Sequence, residues 1–145
     1  MLSRTGEYAL QAMVFLAQRA DDCPIPASTI ARATGIPSKY LSAILGTLVR
    51  RGVLAANPGR GGGFRFARPP QETLLYDVLA PFEPDLAPNR PCPFGNPVCS
   101  DDNPCGGHQH WKRVMEAYRK FLDRTTVAQV AGPKDRKPSG KARSR

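Results

Sequence analysis

Three of the chain's four cysteines stand in one short segment, Cys92, Cys99 and Cys105, with C-x6-C-x5-C spacing. His108, His110 and Trp111, the single tryptophan, follow directly. Disulfides, a zinc site, an iron–sulfur cluster and catalytic thiols all draw on such a set. A reducing intracellular setting disfavours stable disulfides and turns the thiols towards metal or redox chemistry. A catalytic thiol needs an orienting base and a substrate pocket, and nothing elsewhere in the sequence supplies them. Three cysteines and a histidine are an ordinary structural zinc set. Zinc sites are usually built from C-x2-C knuckles, however, and no two of these cysteines lie that close. Thiolates are also the normal protein ligands of iron–sulfur clusters. A wide, irregular spacing in a loop of Pro, Gly, Asp and Asn suits a segment that wraps a larger object. A cluster is therefore the leading expectation, with zinc and metal-free thiols as alternatives. Cys23, alone after Asp21 and Asp22, is expected to be incidental.

The chain has 145 residues, enough for one domain with an appended element, and a formal charge of +9. The charge is uneven. Between Asp22 and Glu72 there is no acidic residue, while Arg32, Lys39, Arg50, Arg51, Arg60, Arg65 and Arg68 all fall there. One-signed charge on a globular segment predicts a surface that meets a polyanion, against the plainer alternative of a soluble basic face. No run approaches the roughly 18 apolar residues of a membrane span. YALQAMVFLA (8–17) resembles a secretory core, but Glu7 and Gln11 interrupt it and its pattern is amphipathic. The expected location is the cytoplasm, with no membrane partner.

These side chains need a scaffold. Residues 5–20 predict a first helix with Thr5 as N-cap, Glu7 at its positive start, and Tyr8, Ala12, Phe15 and Leu16 on the buried face. ASTIARATG predicts a short helix using Ile30 and Ala31 and closed by Gly35. After Pro37, SKYLSAILGTLVRRG carries Leu41, Ile44, Leu45, Leu48 and Val49 at helical spacing and ends at Gly52. Two helices around a tight glycine turn make a helix-turn-helix candidate. VLAA, the turn NPGRGGG and the alternating FRFARP then predict a β-hairpin, the wing of a winged helix. A phosphate-binding loop would require a lysine and a following helix, and neither is present.

ETLLYDVLAPFE (72–83) predicts one further helix. HWKRVMEAYRKFLDRTTVAQVA predicts a long amphipathic helix, or one with a break near Thr125 and Thr126. Its stripe of Trp111, Val114, Met115, Tyr118, Phe121 and Leu122 is expected to meet a second subunit, with packing inside the chain as the alternative. The fold class is thus mostly α with a small β-hairpin wing: a winged helix-turn-helix over 1–84, a cysteine-rich loop over 85–107 and a dimerisation helix over 108–131. The tail 132–145, with six basic residues and one acidic, is expected to be disordered.

EYALQAM, the string IARATGIPSKYLSAILGTLVRRGVL, the wing GRGGGF with ARP after it, and three cysteines before an HxxW pattern occur together here. As a set, over about 125 residues, they resemble the Rrf-two family of bacterial winged-helix transcription regulators, the IscR/NsrR/RirA group. The resemblance implies a homodimer that binds operator DNA, not an enzyme, with an iron–sulfur cluster of two or four irons in the cysteine loop controlling affinity. It implies Cys92, Cys99 and Cys105 as ligands, with either His108 or Glu7 of the partner subunit as the fourth. Glu7 also has a simpler role, stabilising the start of its helix. Ser38, Lys39, Tyr40 and Ser42 are expected to face the major groove, Arg60 to enter or flank the minor groove, and Arg50 and Arg51 to serve phosphates. The chain departs from the pattern at Pro58, where such proteins commonly carry an arginine, and in its cysteine spacing. A repressor is the expected role. The rival is a zinc-stabilised winged-helix binding protein that senses nothing.

Overall fold

The structure is a computed structural model that describes residues 2–87 and 90–133. The first helix, α1 (Arg4–Gln18), is capped by Ser3, whose hydroxyl accepts from the Gly6 N–H at 3.0 Å. The expected cap, Thr5, already lies inside it. Ser3 prevails because its N–H and hydroxyl also donate to the buried Glu83 carboxylate, at 2.8 and 2.9 Å. The buried face of α1 is Ala9, Ala12, Met13 and Leu16, while Tyr8 and Phe15 are only half-buried.

Helix α2 (Ala27–Thr34) ends where Gly35 turns left-handed, with φ of 74° and its N–H bonded to Ala31 O at 2.8 Å. Pro37 sets up α3 (Ser38–Arg50), whose Leu41, Ile44, Leu45 and Leu48 are buried at the expected spacing. Truncating one of these leucines to alanine would cost about 2–5 kcal/mol. Strands β1 (Leu54–Asn57) and β2 (Gly63–Phe66) pair antiparallel from Leu54↔Phe66 to Asn57↔Gly63. The wing is sewn to the helices by Ile25, which exchanges two backbone hydrogen bonds with Phe64, at 3.0 and 2.8 Å. Gly63 permits this approach: a Cβ there would run into the Ile25 backbone. The mostly helical winged-helix architecture expected from the sequence is the one observed.

Two further expectations need correction. Residues 72–83 are not one helix. A 3-10 turn over Pro70–Glu72 leads into extended Thr73 and Leu74, and α4 is confined to Leu75–Leu79. The extended pair is drawn into backbone pairing with the distant 125–127 segment: Leu75 N–H bonds to Thr125 O at 2.9 Å and Val127 N–H to Thr73 O at 2.8 Å. The same pairing breaks the last helical stretch into α5 (His108–Arg124) and α6 (Val127–Ala131), with a capping box between Thr126 and Gln129. Second, the apolar stripe of α5 is not a single contact. Met115 and Leu122 are buried within the chain and Tyr118 packs half-buried against the core, while Val114 and Phe121 remain 46% and 52% exposed. Leu122 and Val127 join the same core as α1 and α3. The basic tail from Lys134 onward lies outside the described residues.

Candidate metal centre and nucleic-acid interface

Between Leu86 and α5 none of the described residues lies in a helix or strand, and polar side chains hold the segment in shape. Gly95, at φ of 85°, closes a turn from Cys92, with its N–H bonded to Cys92 O at 3.1 Å. Asn96 Nδ2 donates to Asn103 O at 2.9 Å, and Asn103 Nδ2 donates to Val98 O. The two asparagines therefore cross-link the loop. Phe94 meets Trp111 edge to face at 6.2 Å, and the Arg90 guanidinium lies 5.8 Å from the indole centroid. This aromatic clamp fixes the loop against the first turns of α5.

So folded, the loop brings Cys92, Cys99 and Cys105 together, their three sulfurs within 4.8 Å of one another. Cys92 and Cys105 Sγ are 3.7 Å apart. His108, the first residue of α5, places Nδ1 3.2 Å from Cys99 Sγ, although it is not among the atoms mutually within 4.8 Å. Burial resists ionisation of Cys92, but the N–H groups of Asn96 and Phe94 and the neighbouring thiols bring its pKa down to about 7. Burial and the adjoining Cys92 push Cys105 upward. The three cysteines, Phe94, His108 and Trp111 border a cavity of about 610 Å³, and the buried indole Nε1 has no hydrogen-bond partner among the described residues. A sulfur set with one readily ionised thiol and an imidazole, around a cavity larger than an ion, fits a thiolate-bound metal group.

Asp101 was not singled out by the sequence, nor was Lys112. Asp101 Oδ1 lies 2.9 Å from His108 Nε2, and Lys112 Nζ reaches both carboxylate oxygens at 2.9 and 2.8 Å. Lys112 and then His108 hold the Asp101 carboxyl below its usual range, and Asp101 raises Lys112 in return. Nothing in the sequence pairs them, because Asp101 lies in the loop and Lys112 eleven residues further on, in α5.

The other candidates lie elsewhere. Glu7 is in the first turn of α1, ion-paired with Arg4 at 3.8 Å, and does not belong to the sulfur group of its own chain. Cys23 stands apart, its sulfur 3.5 Å from Arg19 O. Ser38, Lys39, Tyr40 and Ser42 are all exposed in the first half of α3, with Tyr40 60% exposed. Arg50 and Arg51 are exposed at the end of α3, and Arg60 at the wing turn. Arg50 Nη2 bonds to Thr47 Oγ1 at 3.0 Å. Arg65 is a further basic group on this side of the sequence, steadied by a 3.1 Å bond from its Nε to Asn57 Oδ1 across the wing. The alternation of FRFARP already implied that Arg65 points away from Phe64 and Phe66.

The Rrf2 family, described as "Iron-dependent Transcriptional regulator", matches residues 2–133. The chain belongs to the Rrf2 family. Among curated Rrf2-like relatives, a protein of Mycobacterium tuberculosis named as an HTH-type transcriptional regulator is 34% identical over 136 residues, covering 90% of this chain and 81% of the relative. The HTH-type transcriptional regulator IscR of Yersinia pestis is 28% identical over 134 residues, covering 92% of this chain and 80% of the relative. Two solved structures share the Rrf2 fold. IscR of T. potens has a TM-score of 0.71 at 25% identity, covering 90% of this chain and 85% of that one. CymR, the global cysteine regulator of B. subtilis, has a TM-score of 0.74 at 24% identity, covering 90% and 95%. Rrf2 proteins are transcriptional regulators and not enzymes, so DNA is this chain's partner class. No helix among the described residues is long and apolar enough to cross a membrane.

Proposed function

We propose that this chain is a homodimeric, cytoplasmic repressor whose affinity for operator DNA is set by an iron–sulfur cluster held by Cys92, Cys99, Cys105 and His108. The convergence of three sulfurs within 4.8 Å, with His108 Nδ1 beside one of them, carries the reading. A single tetrahedral ion would draw all four donors to within about 4 Å of each other. His108 stands outside the mutual 4.8 Å group, and the cavity is open, so the set is spread for a larger group. When bound, such a group supplies a centre that responds to oxidation and to iron-binding small molecules.

The chain's own residues do the rest. Cys92, Cys99 and Cys105 hold the loop closed against α5 through sulfur. His108 begins α5, so any change in its ligation is felt at the start of that helix. Val114 and Phe121, exposed on α5, form the surface expected to meet the second subunit. Glu7 of the partner subunit is the alternative fourth ligand. Ser38, Lys39, Tyr40 and Ser42 read the major groove, Arg60 reaches the minor groove, and Arg50 and Arg51 contact phosphates.

A zinc-stabilised, non-sensing protein is the second reading, favoured by the 3.7 Å Cys92–Cys105 separation. Two sulfurs on one tetrahedral zinc stand about 3.8 Å apart. Metal analysis of anaerobically purified protein tests the two. Iron and sulfide with visible absorbance, lost in Cys92→Ala, Cys99→Ala and Cys105→Ala, support the cluster. Colourless protein with stoichiometric zinc overturns it.

A further inference from the structure

The ring of His108 has two edges with different partners. Nδ1 lies 3.2 Å from Cys99 Sγ, and Nε2 lies 2.9 Å from Asp101 Oδ1. An imidazole offers a metal only the nitrogen without a proton, so the partner of the other nitrogen selects the ligand atom. An ionised carboxylate only accepts hydrogen bonds. Opposite Asp101, Nε2 carries the proton and Nδ1 turns its lone pair towards the sulfurs. Asp101 is held in its turn by Lys112, one helical turn beyond His108, whose Nζ lies 2.9 Å from Oδ1 and 2.8 Å from Oδ2. Lys112, Asp101, His108 and Cys99 therefore form a continuous polar chain from the surface of α5 to the sulfur group.

We infer that Asp101, fixed by Lys112, is the positioning residue that presents Nδ1 of His108 to the metal group. This rests on the metal-binding reading of the cysteines. It also extends that reading, because His108 is chosen as fourth ligand over Glu7, and because the loop that carries the thiols orients the imidazole as well. A merely structural ion pair is the alternative. Asp101 is 64% exposed and Lys112 39%, and pairs so exposed add little to folding stability. Loss of Asp101 should therefore leave the metal-free fold intact and be felt only at the site.

The test uses full-length apoprotein titrated anaerobically with Co2+, which reports thiolates through charge-transfer bands and the remaining ligand through its d–d bands. Asp101→Ala should bind Co2+ roughly 10- to 100-fold more weakly. Its d–d bands should move to those of His108→Ala, and the double variant Asp101→Ala/His108→Ala should be no worse than His108→Ala alone. Asp101→Glu should recover part of the affinity, and the melting temperature of each metal-free variant should match that of the wild type. Wild-type bands and affinity in Asp101→Ala overturn the inference, as does weaker binding with unshifted bands. A wild-type protein that shows neither thiolate charge-transfer bands with Co2+ nor bound iron and sulfide after anaerobic purification overturns the metal reading itself, and the inference with it.

Discussion

Glu83 accepts two hydrogen bonds from Ser3, from its backbone N–H at 2.8 Å and its hydroxyl at 2.9 Å. Glu83 is only 4% exposed, and it sits where the helical domain hands over to the chain that leads into the cysteine loop. One carboxylate thus anchors the start of α1 to the root of the loop. Gly6 belongs to the arrangement, since a side chain there would occupy the place of that carboxylate.

Glu83→Ala should destabilise the metal-free protein by about 2–4 kcal/mol, because two donors lose a charged acceptor and a buried space opens. Gly6→Ala should cost about 1–3 kcal/mol through steric displacement of the carboxylate. Urea unfolding followed by circular dichroism measures both. Wild-type midpoints in both variants would mean that the anchor carries no weight.

DNA binding should depend steeply on salt. The acid-free stretch between Asp22 and Glu72 includes the exposed Lys39, Arg50, Arg51 and Arg60. Each phosphate contact contributes about one unit to the slope of log affinity against log salt. Lys39→Ala should flatten that slope by about one unit, and Arg60→Ala should weaken binding to the operator. Anisotropy titrations at several salt concentrations give the slopes. Equal wild-type affinity for palindromic and random duplexes would contradict sequence-specific recognition.

Assembly separates the two sides of α5. Phe121→Glu and Val114→Glu place charges on the exposed side and should yield folded monomers in sedimentation velocity. Met115→Glu buries an unpaired charge within the chain and should instead lower the melting temperature, by an amount corresponding to several kcal/mol. Dimers of Phe121→Glu and Val114→Glu as strong as the wild type would move the subunit contact elsewhere.

The sequence shows where local rules govern. Gly35, Pro37 and Gly52 mark the ends of α2 and α3, the spacing of Leu41 to Leu48 marks the buried face, and GRGGG marks the wing turn. The failures are non-local. Ser3 displaced Thr5 as the cap because an acceptor 80 residues away selects it. Residues 72–83 read as one helix because the pairing of Thr73 and Leu74 with residues 125–127 leaves no trace in their own periodicity. A stripe on α5 shows that a face is apolar, but not that Met115 would be covered by its own chain and Phe121 left bare. The cysteines stood out by type and spacing. The Asp101–Lys112 support did not, because it exists only once the loop has folded back on α5.

The central claim is that the group held by Cys92, Cys99, Cys105 and His108 controls DNA affinity. The direct measurement is the operator affinity of one anaerobic preparation, before and after the metal is removed, at a single fixed salt concentration. The account predicts at least a several-fold change on removal, restored by reconstitution and absent in Cys99→Ala. An affinity unchanged by removal, in protein shown to have carried iron and sulfide, would contradict it.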